Sequence, residues 1–286
     1  MPHVNTAIGW QQLSPGLQVW HYWRVDRGDY GWLTPDKGII YRDFLPPDLA
    51  PILKRHDIAK SILVQAAPTE AETLFLLDIA KSDESVAGVV GWTDFETPER
   101  IAELAKDELL VGLRPMVQDL ADDDWLASPK LAPAFDALIA YGLVFDALVL
   151  PRHLPRLLVV AERHPGLRIV IDHGAKPFIK DKRLDPWRAD MAALAARPNV
   201  VCKVSGLATE ASPEWTQGDL APYVLHLIDV FGPARLLWGS DWPVVDLAGG
   251  YDRWFAAAQG LLGSHDDIFG ANAARIYLDK RGRRDA

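Results

Sequence analysis

The sequence predicts an α/β fold of one kind, a single (β/α)8 TIM barrel. Three observations predict it. Short β-rich runs alternate with helical patterns along the 286 residues, and such alternation builds a parallel sheet. The runs number eight, and several are almost continuously apolar, as strands covered on both faces are. The length suits a barrel of about 250 residues plus its extensions. An open doubly wound sheet is the rival architecture, but no Gly-x-Gly-x-x-Gly fingerprint follows the first strand.

Residues 1–16 show no clear periodicity and read as an irregular lead-in, so the barrel domain is placed at 17–280. Strands are expected at 17–23, 61–67, 86–95, 110–117, 143–150, 167–172, 200–204 and 235–238. The first helix, 47–56, holds Leu49, Ile52 and Leu53 at i, i+3, i+4 spacing. The second, 69–81, starts at Thr69 or Glu70 and carries Leu74, Leu77 and Ile79. Helix 98–107 carries Ile101, Leu104 and Ala105, and 128–141 carries Leu131, Phe135, Leu138 and Ile139. Stretches 154–164, 186–197 and 220–231 continue the alternation, and 251–262 and 271–278 follow the last strand. The first βα loop, 24–47, is long, aromatic and charged, with Asp26, Asp29, Tyr30, Trp32, Tyr41 and Arg42. Such loops lie on the C-terminal face of a barrel, so this one is placed to cover the pocket.

Composition narrows the function classes. The net charge of -9 disfavours nucleic acid and anionic membranes as partners. One cysteine, Cys202, rules out an intrachain disulfide or cysteine-rich metal site and suits a reducing cytoplasm. The N-terminus shows no signal-peptide pattern and no run approaches a membrane span. A cytoplasmic enzyme acting on a small molecule is expected, and a homo-oligomer is compatible with the sequence.

Barrel chemistry lies at the C-terminal ends of the strands. In order those ends deliver His21, Gln65, Trp92 with Asp94, Arg114 with Gln118, Asp146 with His153 in its loop, Asp172-His173, Lys203 with Ser205, and Asp241. His21, His173 and Asp241 stand out. Two imidazoles and a carboxylate can hold a divalent ion such as zinc. Without metal, imidazoles can polarise a carbonyl while the carboxylate takes a proton from water. Arg114 can clamp a carboxylate or stabilise an oxyanion. Substrate contacts are expected from Arg114, Trp242, Gln65, Asp146, His153 and Trp32. Each has a plainer reading. His21 can be a core histidine, and Asp241 a turn or cap residue. Asp94 and Asp146 can cap helices, and Gln65 can satisfy backbone groups. Lys203 can pack its stem inside with the charge at the rim.

Several stretches carry a resemblance. They are Arg24-Val25-Asp26-Arg27-Gly28-Asp29-Tyr30-Gly31-Trp32-Leu33, Val64-Gln65-Ala66, Val90-Gly91-Trp92, Gly112-Leu113-Arg114, Asp172-His173-Gly174-Ala175-Lys176-Pro177, Cys202-Lys203-Val204-Ser205-Gly206, Gly239-Ser240-Asp241-Trp242-Pro243 and the closing Gly270-Ala271-Asn272-Ala273-Ala274-Arg275-Ile276-Tyr277. Together, over 21–278, they resemble the lactonase branch of the amidohydrolase superfamily. The resemblance implies a barrel that opens a lactone ring in carbohydrate catabolism. Aldonolactones such as fuconolactone or rhamnonolactone, or a dicarboxylate pyrone, are the implied substrates, and a lactone isomerase is the alternative. It implies roles for His21, His173 and Asp241, with either no metal or one divalent ion. The chain departs from the pattern on its first strand, with Val19 where the family has a histidine and Leu17 where it has an aspartate. A neutral valine can neither ligate metal nor polarise a carbonyl. A shifted reading frame or start over residues 1–20 would account for the departure.

Overall fold

A computed structural model describes residues 17–263 and 265–279; the irregular lead-in expected at 1–16 lies outside them. Eight strands form one parallel sheet in sequence order: β1 (Leu17–Trp20), β2 (Lys60–Val64), β3 (Val86–Gly91), β4 (Leu110–Leu113), β5 (Val144–Ala147), β6 (Ile169–Ile171), β7 (Val200–Val204) and β8 (Leu236–Trp238). The last strand comes round to the first. Beyond the ladders, the His21 amide donates to the Trp242 carbonyl at 3.0 Å and the Ser240 hydroxyl to the Val19 carbonyl at 3.3 Å.

Helices α1 (Pro46–Arg55), α2 (Glu70–Ser82), α3 (Glu99–Leu104), α4 (Ala132–Tyr141), α5 (Leu154–Arg163), α6 (Trp187–Ala195), α7 (Gln217–Phe231) and α8 (Tyr251–Leu262) cover the sheet, giving the (β/α)8 barrel. Local chemistry sets their ends. α4 has Pro133 in its first turn and stops at Gly142, whose φ of 64° is left-handed. α7 is capped by Thr216, whose amide donates to the Asp219 carboxylate at 2.9 Å in a capping box. After α8 the chain forms a short helix, α9 (Ala271–Ala273), that widens into a π turn at Ala274–Leu278.

The core has two layers because strand side chains alternate. One set, including Val19, Val64, Val90, Val144, Val170 and Val201, packs with Ile276 and Tyr277 of the C-terminal segment. The other set packs under the helices, with Trp20, Leu63, Phe145 and Trp238 among them.

Most strands end sooner than the sequence suggests. The run expected at 143–150 is strand only over Val144–Ala147, although Leu148 and Val149 are also buried. Burial on the C-terminal face makes loop residues as apolar as strand residues, so hydropathy alone does not mark the boundary.

Candidate functional site

Every residue of the expected trio lies just beyond a strand. His21 follows β1, His173 sits in the turn Asp172–Ala175 after β6, and Asp241 lies three residues past β8. His173 and Asp241 have φ of 53° and 59°, a left-handed region that costs non-glycine residues energy and recurs where function fixes a side chain. The turns aim both side chains at one point. Asp241 Oδ1 lies 3.6 Å from His21 Nε2 and 3.8 Å from His173 Nε2, too far for hydrogen bonds but close enough to share one reacting group.

Second partners fix the imidazoles. His21 Nδ1 is 2.7 Å from the Val64 carbonyl, which can only accept, so the proton is assigned to Nδ1 and the Nε2 lone pair faces Asp241. His173 Nδ1 is 2.9 Å from the Ser205 hydroxyl. With the serine donating, His173 presents Nε2–H to the pocket. Burial lowers the His173 pKa to about 4, so the ring is neutral near pH 7. Burial alone would raise Asp241, but the two imidazoles and Lys176 outweigh it and hold its carboxyl below the ordinary range.

Above the trio is a pocket of about 180 Å³. His21, His173, Asp241, Arg114, Gln118, Lys176 and Thr209 give it a polar side, and Trp32, Ala66, Met116, Leu148 and Val244 an apolar one. The first βα loop covers it, as expected: Trp32 lines the pocket and its indole N–H donates to the Ala66 carbonyl at 2.7 Å. A larger cavity of about 560 Å³ lies beside His56 and Phe255 and contains none of the strand-end trio.

Four expected substrate contacts do not line this pocket. Gln65 is fully buried and its amide donates to the Arg114 carbonyl at 2.7 Å, so the backbone-satisfying reading fits it. His153 is buried, accepting from the Leu150 amide at 3.1 Å, with Nε2 3.2 Å from Asp123. Trp242 is buried edge-on against Trp20, Tyr22 and Phe44. Asp146 neither caps a helix nor faces the pocket. Its Oδ2 pairs with Lys203 Nζ at 2.5 Å, and it accepts from the Tyr277 hydroxyl at 2.7 Å. Lys203 corrects the rim reading: its charge is inside, because a second carboxylate, Asp172, also holds Nζ at 2.7 Å. Asp94 is a turn cap, accepting from the Glu96 amide at 2.9 Å.

Arg114 joins this buried network to the pocket. Its Nη1 donates to Asp172 at 2.9 Å and its Nη2 to the Gln65 carbonyl. Burial works against the Asp172 charge, but Lys203, Arg114 and His173 overcome it and keep the carboxyl far below its ordinary range. Asp146 is pushed up to about 6 by burial, with the neighbouring Asp172 charge adding to the rise against Lys203 and Tyr277.

Sequence reasoning missed Lys176, Met116, Leu148, Thr209 and Val244 as lining residues. Lys176 had a usable signal. It stands within the Asp172-His173-Gly174-Ala175-Lys176-Pro177 turn, and its φ of 50° swings it toward the site. Met116 and Leu148 carried none, because they read as strand core.

A barrel whose strand ends gather imidazole, carboxylate and guanidinium is the architecture of a hydrolase acting on a carbonyl. A family model described as Amidohydrolase matches residues 7–278, and the chain belongs to that family. It is 48% identical over 277 residues to an L-fucono-1,5-lactonase of Burkholderia ambifaria, covering 93% of this chain and 96% of that one. It is 38% identical to an L-fucono-1,5-lactonase of Burkholderia multivorans, covering 90% and 93%. A solved amidohydrolase from Burkholderia multivorans with bound zinc superposes with a TM-score of 0.85 at 36% identity, covering 92% of this chain and 99% of that one.

The residues present here do not fit a resident metal. Among the described residues no group of three or more His, Cys, Asp or Glu is arranged to hold an ion. Val19, two residues before His21 and lining the same inner wall, offers no lone pair.

Proposed function

We propose that this chain is a lactonase that opens a neutral sugar aldonolactone, with L-fucono-1,5-lactone the first candidate, to the hydroxy acid. The observation carrying the choice of substrate is the state of Arg114. A guanidinium recognises a carboxylate through two parallel N–H groups. Here Asp172 and the Gln65 carbonyl each take one N–H of an Nη, and Asp172 supplies the buried counter-charge. A guanidinium already paired with an internal carboxylate gains less from a second one, so a polyhydroxy lactone fits better than a dicarboxylate pyrone. The other cation of the pocket, Lys176, has Glu210 at 4.0 Å.

The steps follow from the site. The lactone carbonyl oxygen accepts from His173 Nε2–H and lies toward Arg114, where negative charge develops. Asp241, ionised, removes a proton from the attacking water. The tetrahedral intermediate collapses, the ring C–O bond breaks, and the proton held by Asp241 passes to the ring oxygen as it becomes a hydroxyl. The His21 Nε2 lone pair accepts from the water and orients it. Trp32 and the apolar wall hold the sugar carbons. No step uses a metal.

The deciding experiment is a pH-indicator assay over an aldonolactone panel, with product NMR. Fuconolactone hydrolysis unaffected by chelator is expected. Ring migration without net acid release would instead indicate a lactone isomerase, and loss of activity on chelation would restore the metal.

A further inference from the structure

Below the pocket, charged side chains from four strands form a chain of contacts. Tyr277 donates to Asp146, Asp146 holds Lys203, Lys203 holds Asp172, and Asp172 holds Arg114. The four charged groups are at most 3% exposed. They balance, two cations against two anions, which is the condition for keeping such groups buried. Asp172 is the joint of this chain. One oxygen faces Lys203 at 2.7 Å and the other Arg114 at 2.9 Å. It cannot turn away from Arg114 without leaving Lys203 with one partner and a guanidinium unpaired. The Arg114 Nε is buried and has no hydrogen-bond partner among the described residues; one N–H of each Nη is taken, so the arginine reaches the pocket with its charge already paired while part of its donor set stays open.

We infer that Asp172 is a specificity-determining residue that acts through Arg114: an internal carboxylate pairs with the guanidinium charge and thereby disfavours substrates that would bring a carboxylate of their own. Asp172 does not line the substrate pocket. Its influence on substrates passes through the position and the remaining donors of Arg114, with Lys203 keeping it in place. The inference deepens the lactonase reading and rests on it for the identity of the neutral substrate.

Three proteins test it: wild type, D172N/K203M and D146N/K203M. Each double variant removes one cation and one anion, so both keep the buried charge balanced. Only the first removes the carboxylate that pairs with Arg114. L-Fucono-1,5-lactone is the neutral probe and 2-pyrone-4,6-dicarboxylate the anionic one, the latter read both as an inhibitor and by thermal shift. For D172N/K203M, the dicarboxylate is expected to bind roughly 10-fold or more tighter than to wild type, the gain of one charge-assisted pair. The lactone KM should rise by a similar factor as Arg114 loses its fixed position. D146N/K203M should stay within about 3-fold of wild type on both measures, an allowance for imperfect isolation of the two sites.

A purely structural role for the network would move both double variants alike, and that result overturns the inference. So does dicarboxylate binding to wild type within 10-fold of the lactone KM, a comparison that needs no variant to fold. If wild type turns over no lactone, the lactonase reading fails. The dicarboxylate thermal shifts on the same three proteins then still decide the role of Asp172.

Discussion

At the scale of single residues, the site is defined by one carboxylate held ionised and one imidazole held neutral. Asp241→Asn keeps the shape of the side chain and removes the base. Hydrolysis should fall roughly 100- to 10,000-fold in kcat, the range for general-base catalysis, with the melting temperature little changed. Retention of most activity would move the base elsewhere. The pH profile is a second check. His173 is lowered to about 4 by burial and Asp241 is held below its ordinary range. Both are therefore in their working state above about pH 5, and neither should put a limb on kcat/KM between there and neutrality. A limb at an ordinary histidine value, about 6.5, that persists in His21→Gln would show that His173 titrates freely. These residues were legible in the sequence because their types are rare at strand ends. The buried partners were not. Lys203, Asp146 and Asp172 meet across the barrel interior, and nothing in the local spacing of any one of them announces the other two.

At the scale of elements, the turns that follow the strands carry the precision. Gly206, after β7, has φ of +61° and lies so close to His173 that an added Cβ would be 2.5 Å from its Nδ1. Gly206→Ala should therefore displace the imidazole and reduce kcat by ten-fold or more, as small misplacements of catalytic groups do; unchanged kinetics would show that the ring has room to move. The junction of β2 and α2 has its own device. Glu72 of α2 is fully buried and accepts from the amides of Ala66 and Ala67, and Ala66 lines the pocket. Burial raises its pKa to about 7 from an ordinary 4.5. The folded state thus keeps a proton that the unfolded chain loses. The stabilisation is complete below about pH 4.5 and is lost as pH rises through 7, by at most about 3 kcal/mol on the linkage relation. Glu72→Gln mimics the neutral acid, so thermal melts from pH 4.5 to 8 should show a flatter dependence than wild type. Equal slopes would place the titration elsewhere. Strand order and helix order were readable from alternation alone. Strand ends were not, because a βα turn roofing a buried site is as apolar as the strand before it.

At the scale of the whole molecule, the barrel joins parts of the chain that are far apart in sequence. The His21 amide and the Trp242 carbonyl bring the first strand to the turn after the last. The π turn at Ala274–Leu278 packs Ile276 and Tyr277 against the inward-facing valines of the sheet. The Tyr277 hydroxyl donates to both oxygens of Asp146, at 2.7 and 3.0 Å. The C-terminal segment is therefore tied into the same charged chain that ends at Arg114. This coupling was invisible in the sequence, where 271–278 read only as a helix following the last strand. It has a measurable consequence. Tyr277→Phe leaves the ring's packing intact and removes one donor from a buried carboxylate, a loss of about 1.5–3 kcal/mol for a hydrogen bond to a charged group. Urea unfolding should show a lower midpoint with an unchanged slope, since the surface exposed on unfolding is the same. Lactone turnover should fall by much less than stability, because Lys203 stays on Asp146 at 2.5 Å and Asp172 stays on Arg114. A midpoint equal to wild type would mean that the phenol adds nothing to the charged chain. A fall in turnover as steep as that of D172N/K203M would mean that Arg114 is held from the far end of the barrel and not by Asp172 alone.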